Sequence, residues 1–173
     1  MEKIRVLISE EEVDKKIREM AAEISKRYEG KTLHLICVLR GGAFFMCELA
    51  KRLTVPVTID FMSVSSYGDG TESCGQIKIV KDLDDSIEGR DVLVVEDIID
   101  SGRTLSKLMD LLASRKPASM ALCTLLDKPE RRVVEVDVDY TGFQIPDLFV
   151  VGYGLDCAQQ HRNYPYVGVV EIE

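Results

Sequence analysis

The 173-residue chain has no excess of basic residues, no long apolar run, only two histidines and no closely paired cysteines. Each absence removes a class of function. Lys and Arg total 22 against 30 Asp and Glu, a formal charge of −8. Long nucleic acids are held largely by cations on their phosphates, so this balance argues against broad nucleic-acid binding and against docking on an anionic membrane. No apolar stretch approaches the roughly 20 residues of a membrane helix. The start, MEKIRVLISEEE, has too short an apolar stretch before its acids to read as a signal peptide. The expected location is the cytoplasm. The histidines are His34 and His161, and Cys37, Cys47, Cys74, Cys123 and Cys157 are widely spaced with no C-x-x-C. That pattern argues against a zinc site or a disulfide framework and reads as reduced, mostly buried thiols. There is no internal repeat, Gly/Ser linker, full P-loop G-x-x-x-x-G-K-[ST], GxGxxG or G-x-S-x-G nucleophile elbow.

What remains is a chain sized for one domain, residues 1–173. Residues 4–8 read as a short strand. Ser9 and Glu12 form a capping-box pattern, and Val13, Ile17, Met20, Ala21 and Ile24 recur at helical spacing up to Gly30. LHLICVL (33–39) is nearly continuous in apolar residues, as a strand covered on both faces would be. Arg40, Gly41 and Gly42 break it before a helix at 43–53, and 55–64 reads as another strand. SSYGDGTESCG (65–75) is polar and glycine-rich and reads as a mobile loop. Further strands are expected at 76–81, 91–96, 119–126, 133–138, 148–151 and 167–172, with a helix at 104–114. The β-α-β-α-β order across the middle indicates an α/β fold around a largely parallel sheet. His34, inside an apolar strand, is expected to be a satisfied interior group.

The most informative segment is VLVVEDIIDSGRTL (92–105). An apolar strand ends in two adjacent carboxylates, Glu96 and Asp97. A turn follows with Asp100, Ser101 and Gly102, and a helix begins near Thr104. Ligands of open α/β sheets bind beyond the carboxyl ends of strands. Gly102 lets the backbone approach a ligand closely, and free N–H groups at a helix start favour phosphate. Carboxylates beside a phosphate make chemical sense when they face sugar hydroxyls or Mg²⁺. The arrangement suits a phosphorylated sugar.

This segment resembles the phosphoribosyl pyrophosphate (PRPP) signature of type I phosphoribosyltransferases. The resemblance runs along nearly the whole chain. It is closest to the hypoxanthine-guanine branch through LRGG (39–42), SSYG (65–68), LLDKPERR (125–132) and IPDLFVVGYGLD (145–156). It implies the type I phosphoribosyltransferase fold: a mostly parallel sheet flanked by helices, with a small hood built from terminal segments. It implies purine salvage, the Mg²⁺-dependent transfer of phosphoribosyl from PRPP to hypoxanthine or guanine, giving IMP or GMP and pyrophosphate.

The same resemblance assigns roles. Glu96 and Asp97 would meet the ribose hydroxyls directly or through Mg²⁺, and the turn of Asp100, Ser101, Gly102, Arg103 and Thr104 would cradle the 5′-phosphate. Asp100 would face N7 of the purine as general base. Arg40 and Gly41 would present the pyrophosphate loop, where the family often has a cis peptide between Leu39 and Arg40. Many relatives carry Lys at the positions of Arg40 and Arg103, which keeps the charge and alters the geometry. Lys128 would donate to O6 of a 6-oxopurine; taken alone it reads as a surface lysine. Phe149 would stack on the base and the Val150 backbone would bond its edge; taken alone, LFVV reads as core strand. Asp156 would hold a second Mg²⁺, Arg162 would bind pyrophosphate, and Ser66 and Tyr67 would belong to a lid. A homodimer or homotetramer is expected, with no nucleic-acid or membrane partner. The rival readings are a xanthine- or adenine-preferring transferase and a PRPP-sensing regulator that binds RNA or a transcription factor.

Overall fold

The computed structural model describes residues 2–66 and 76–172. β1 (Glu2–Ile8) leads into α1 (Glu10–Arg27) through the expected capping box. Ser9 Oγ accepts the Glu12 N–H at 3.2 Å, and the Ser9 N–H donates to Glu12 Oε2 at 2.8 Å. Three glutamates in the first turn and Lys26 and Arg27 in the last complement the helix dipole. The expected periodic residues Val13, Ile17, Met20, Ala21 and Ile24 are all buried.

The central sheet has six strands in the order β4-β3-β2-β5-β6-β7. These are β2 (Leu33–Val38), β3 (Val57–Ser66), β4 (Ile77–Lys81), β5 (Asp91–Ile99), β6 (Ser119–Asp127) and β7 (Tyr140–Gln144). All neighbours run parallel except β3 and β4. α2 (Gly42–Arg52) and α1 cover one face, and α3 (Arg103–Ser114) covers the other. Alternation along the central strands divides the core. Leu33, Leu35, Cys37, Leu93 and Val95 pack with α1 and α2, while Ile36, Val38, Val92, Val94 and Leu122 pack with Leu105, Leu108 and Leu112 of α3. β2 is buried at every position, as its apolar run requires. A second sheet, β1-β9-β8, joins the two ends of the chain: β9 (Val167–Ile172) pairs antiparallel with β1 and with β8 (Val150–Val151).

Several sequence expectations need correction. Residues 133–138 form no strand. Val133 and Val134 instead donate their N–H groups to Ser101 O at 2.9 and 3.1 Å, and Val136 and Val138 pack on the α3-side core. The strand of this region is β7, which the sequence reading passed over; its Gly142 lies so near the Leu125 carbonyl that a Cβ would overlap it. β5 extends to Ile99 and β3 to Ser66. Of the cysteines, Cys37 and Cys123 are buried, Cys47 is exposed and Cys157 is intermediate; Cys74 lies outside the described residues. Burial raises the pKa of both interior thiols, that of Cys37 to about 12, so they stay protonated. His34 is buried but only half satisfied. Its Nδ1 lies 2.6 Å from Thr58 Oγ1, while Nε2 has no hydrogen-bond partner. Burial and the Arg90 charge hold its pKa below the ordinary value, so the ring is neutral.

Candidate active site

Two strand-to-helix turns meet at the carboxyl edge of the sheet. β2 and β5 are parallel neighbours, so the turn after β2 and the turn after β5 open side by side. In the first, the Leu39–Arg40 peptide is cis and Gly41 precedes α2. Gly41 is pressed against the Asp97 carboxylate: a Cβ there would overlap Asp97 Oδ2. On its other side, a Cβ on Gly154 would overlap the Gly41 carbonyl, so the chain passes here with no room for a side chain on either glycine. In the second turn Gly102 caps α3 with φ +81°, the left-handed region that glycine enters at no cost.

Glu96 and Asp97 stand at the end of β5, partly withdrawn from water. Burial, reinforced by the neighbouring Asp97 charge, raises the Glu96 pKa well above the carboxylate range. Burial also raises that of Asp97, against the opposing pull of Arg162 and of the Ile98 N–H, which donates to Asp97 Oδ1 at 2.7 Å. Two acids crowded in this way would be relieved by hydroxyl donors or a cation. Among the described residues, no group of three or more His, Cys, Asp or Glu side chains could hold a metal by themselves. Mg²⁺ is commonly bound by one or two carboxylates together with substrate phosphates and waters. The Glu96–Asp97 pair fits that mode.

Asp156 and Arg162 form a cluster over the first turn, and Asp156 also lines the cavity beside the second. Arg162 lies 3.1 Å from Asp156 Oδ1, donates to Gly154 O at 2.7 Å and reaches Gln159 Oε1 at 3.1 Å. Arg40 donates to the same Gln159 oxygen at 3.0 Å. Gln159 thus joins Arg40 to Arg162, a connection across 119 positions that sequence reading missed.

On the side of the second turn is a cavity of about 340 Å³ lined by Asp100, Lys128, Arg131, Asp147, Phe149 and Val150, among others. Lys128 is 8% exposed, which is far from a surface lysine. Its ammonium lies 3.6 Å from Asp100 Oδ1 and 3.9 Å from Asp147 Oδ1, and Arg131 lies 3.5 Å from Asp147 Oδ2. Phe149 is 57% exposed although Val150 beside it is buried. The plain core-strand alternative for LFVV fails at Phe149, whose ring is offered to the cavity. Ser66 ends β3 and lines a smaller hollow of about 190 Å³ with Ser101, Arg103, Thr104 and Lys107. Tyr67, the other residue expected in the lid, lies outside the described residues. A larger hollow, about 870 Å³, lies between α1 and α2 and contains neither glycine turn.

The structure therefore brings the sequence-derived residues to one edge in two groups. Arg40, Gly41, Asp97 and Arg162 surround the first turn, and Asp156 borders both groups. Asp100, Ser101, Gly102, Lys128, Phe149 and Val150 surround the second, with Arg103 and Thr104 opening α3. Missed were Gln159, Arg131, Asp147, Lys107 and Arg132. Arg and Asp in loops carry no local signature, and these residues find their partners only after folding.

Comparison with known proteins agrees with this geometry. The model of the phosphoribosyl transferase domain family matches residues 9–158. The chain is 52% identical over 167 residues to the hypoxanthine-guanine phosphoribosyltransferase of Bacillus subtilis, covering 96% of this chain and 93% of that protein. It is 56% identical over 169 residues to a bifunctional TilS/HprT protein of Listeria monocytogenes, and spans about a quarter of that relative's length (26%). A crystal structure of a hypoxanthine-guanine phosphoribosyltransferase from Bacillus anthracis superposes with a TM-score of 0.93 at 49% identity, covering 98% of this chain and 100% of that one. With two glycine turns, paired acids and a base-sized cavity at one sheet edge, and a family model matching most of its length, the chain belongs to the phosphoribosyl transferase domain family.

Proposed function

We propose that the chain transfers the 5-phosphoribosyl group from PRPP to hypoxanthine or guanine, forming IMP or GMP and releasing pyrophosphate. The observation that carries this reading is Lys128: a buried ammonium in a small cavity, beside one exposed aromatic ring and the carboxylates of Asp100 and Asp147. A 6-oxopurine offers an acceptor to that ammonium. Adenine offers an amino donor instead and sets donor against donor, an exclusion worth roughly 10⁴-fold in sites built around such a contact.

The division of labour follows from the two groups of residues. Phe149 stacks on the base and the Val150 backbone meets its edge. Ser101, Gly102, Arg103 and Thr104 hold the 5′-phosphate. Arg40, Gly41 and Arg162 hold pyrophosphate, and Glu96 and Asp97 hold the ribose hydroxyls. The bond from C1′ to the pyrophosphate oxygen breaks, a bond from C1′ to the purine nitrogen forms, and Asp100 takes the purine proton. A general base must lie within hydrogen-bond reach of that proton, and Asp100 borders the cavity beside Lys128. Glu96 and Asp97, and Asp156 together with pyrophosphate, would hold Mg²⁺, which would supply charge neutralisation for the leaving group. A cytoplasmic homodimer or homotetramer fits this reading.

One assay tests it. The protein is incubated with PRPP and Mg²⁺ and, separately, hypoxanthine, guanine, xanthine, adenine or uracil. Nucleotide forms with hypoxanthine or guanine; formation with adenine alone, or with none of the purines, overturns the reading.

A further inference from the structure

The turn that carries Asp100 is held from behind by one short stretch of chain, residues 127–136. Lys128 N–H donates to Ile99 O at 3.0 Å, and Val133 and Val134 N–H both donate to Ser101 O. Arg132 supplies the bond between them: its Nε donates to Asp100 O at 3.2 Å. Its terminal nitrogen pairs with Asp127 Oδ1 at the end of β6. Both side chains are nearly buried, 13% exposed for Arg132 and 10% for Asp127. The arginine stem also packs under Gly102, where an added Cβ would come 3.0 Å from Arg132 Cδ.

In a planar trans peptide the C=O and N–H point in opposite directions. The carbonyls of Ile99, Asp100 and Ser101 are all drawn toward residues 127–136. The N–H groups of Asp100, Ser101 and Gly102 therefore face the other way, out of the turn. A backbone with successive N–H groups turned outward makes an anion-binding concavity. Two of these carbonyls are tied by main-chain N–H groups, which any sequence but proline supplies. The Asp100–Ser101 peptide, the one next to the general base, is tied by a side chain.

We propose that Arg132 is a positioning residue, holding the Asp100–Ser101 peptide so that the Asp100 carboxyl and the Ser101 N–H keep their aim. The inference rests on the functional reading above. Because Arg132 and Lys128 belong to the same short stretch, it also links the base side of the site to the phosphate turn. Asp127 keeps the guanidinium charge company in the interior, while the bond from Nε does the aiming.

The test separates those two contacts. Arg132→Lys keeps a cation beside Asp127 but has no nitrogen at the Nε position to donate to Asp100 O. Asp127→Asn keeps an acceptor for the terminal nitrogen and leaves the Nε bond. With PRPP and hypoxanthine, Arg132→Lys lowers kcat by at least tenfold with hypoxanthine KM within threefold of the parent, and Asp127→Asn keeps kcat within threefold. A double variant, Asp127→Asn with Arg132→Met, buries no charge, offers no donor to Asp100 O and should show the same tenfold loss if the lysine variant does not fold. Parental kcat in the folded Arg132→Lys or double variant overturns the proposal. So does an Asp127→Asn variant that loses as much kcat as Arg132→Lys. A parent chain that forms no nucleotide overturns the functional reading instead.

Discussion

The turns after β2 and β5 share a grammar: a buried parallel strand, a break with glycine, then a helix of 11 or 12 residues. They need their glycines for different reasons. Gly41 has φ −58°, which any residue adopts, and what excludes a side chain there is the Asp97 carboxylate. Gly102 has φ +81°, and what lies over it is main chain, the Val134 carbonyl 2.5 Å from where a Cβ would sit. One glycine protects the placement of a functional side chain. The other protects the backbone itself. Their backing differs in the same way: the first turn leans on Asp97 and on the loop of Gly154 and Arg162, the second on residues 127–136.

The chemistry divides along the same line, and the largest effect tests that division. Asp100→Asn is expected to lower kcat by about 10²–10⁴, the usual weight of a general base, with PRPP KM changed only a few-fold. Arg40→Ala should instead raise PRPP KM by about tenfold, the scale of one charge-assisted contact, and spare kcat. Steady-state kinetics on the two variants reads both. An equal split of kcat and KM effects in each would erase the distinction between the turns.

The glycines sharpen it further. Gly102→Ala is expected to lose about 1–2 kcal/mol of stability from the left-handed backbone alone, with more from the fixed Val134 carbonyl. Gly41 is also buried, but Gly41→Ala meets only the Asp97 side chain rather than a backbone and should lose less stability than Gly102→Ala. It should nevertheless lose PRPP affinity, because Asp97 must move. Thermal unfolding beside calorimetric PRPP binding separates the two, and equal destabilisation would remove the contrast.

The smallest expected effect concerns the far ends of the helices that follow. Arg52, in the last turn of α2, is held by Glu48 Oε2 at 2.6 Å and by Asp14 of α1. Arg115, at the end of α3, is held by both oxygens of Asp82 at 2.7 and 2.9 Å. The Arg115 hydrogen bonds keep the Asp82 carboxyl below its ordinary pKa. Their stabilisation is complete above the ordinary value of 3.8 and is lost as pH falls through the lowered one. Asp82 is about half exposed (47%), so Asp82→Asn should cost less than about 1 kcal/mol at neutral pH and nothing in strong acid. Denaturant titrations of both proteins across that range check it.

Much of this was legible in one dimension. Apolar runs marked β2 and β5, since strands covered on both faces have no polar face to interrupt them. The Ser9 and Glu12 box marked the start of α1, because its bonds span only three residues. The glycine turns were visible as breaks, and Glu96, Asp97 and Asp100 as acids at a strand end. What surrounds the turns was not. Arg132 reaches Asp100 across 32 positions and Arg40 reaches Gln159 across 119, and no local pattern announces either. The valines of 133–138 misled because β-branched residues suggest a strand, whereas this segment spends its N–H groups on Ser101. β7 went unnoticed because YTGFQ contains a glycine, which weakens a strand signal and here permits close passage over Leu125.

The pairing of β1 with β9 bears on the order in which the molecule is assembled. Lys3 lies opposite Glu171, and β9 in turn holds Val150 through Val169. Closing a loop of nearly the whole chain carries the greatest entropy cost of any contact in the molecule. The parallel sheet draws on nearer neighbours and does not wait for that closure. The wall behind Phe149 has no such freedom, because β8 pairs with β9, which follows every strand of the parallel sheet in the sequence. The base side of the site thus depends on the costliest closure in the molecule, and the phosphate turns do not.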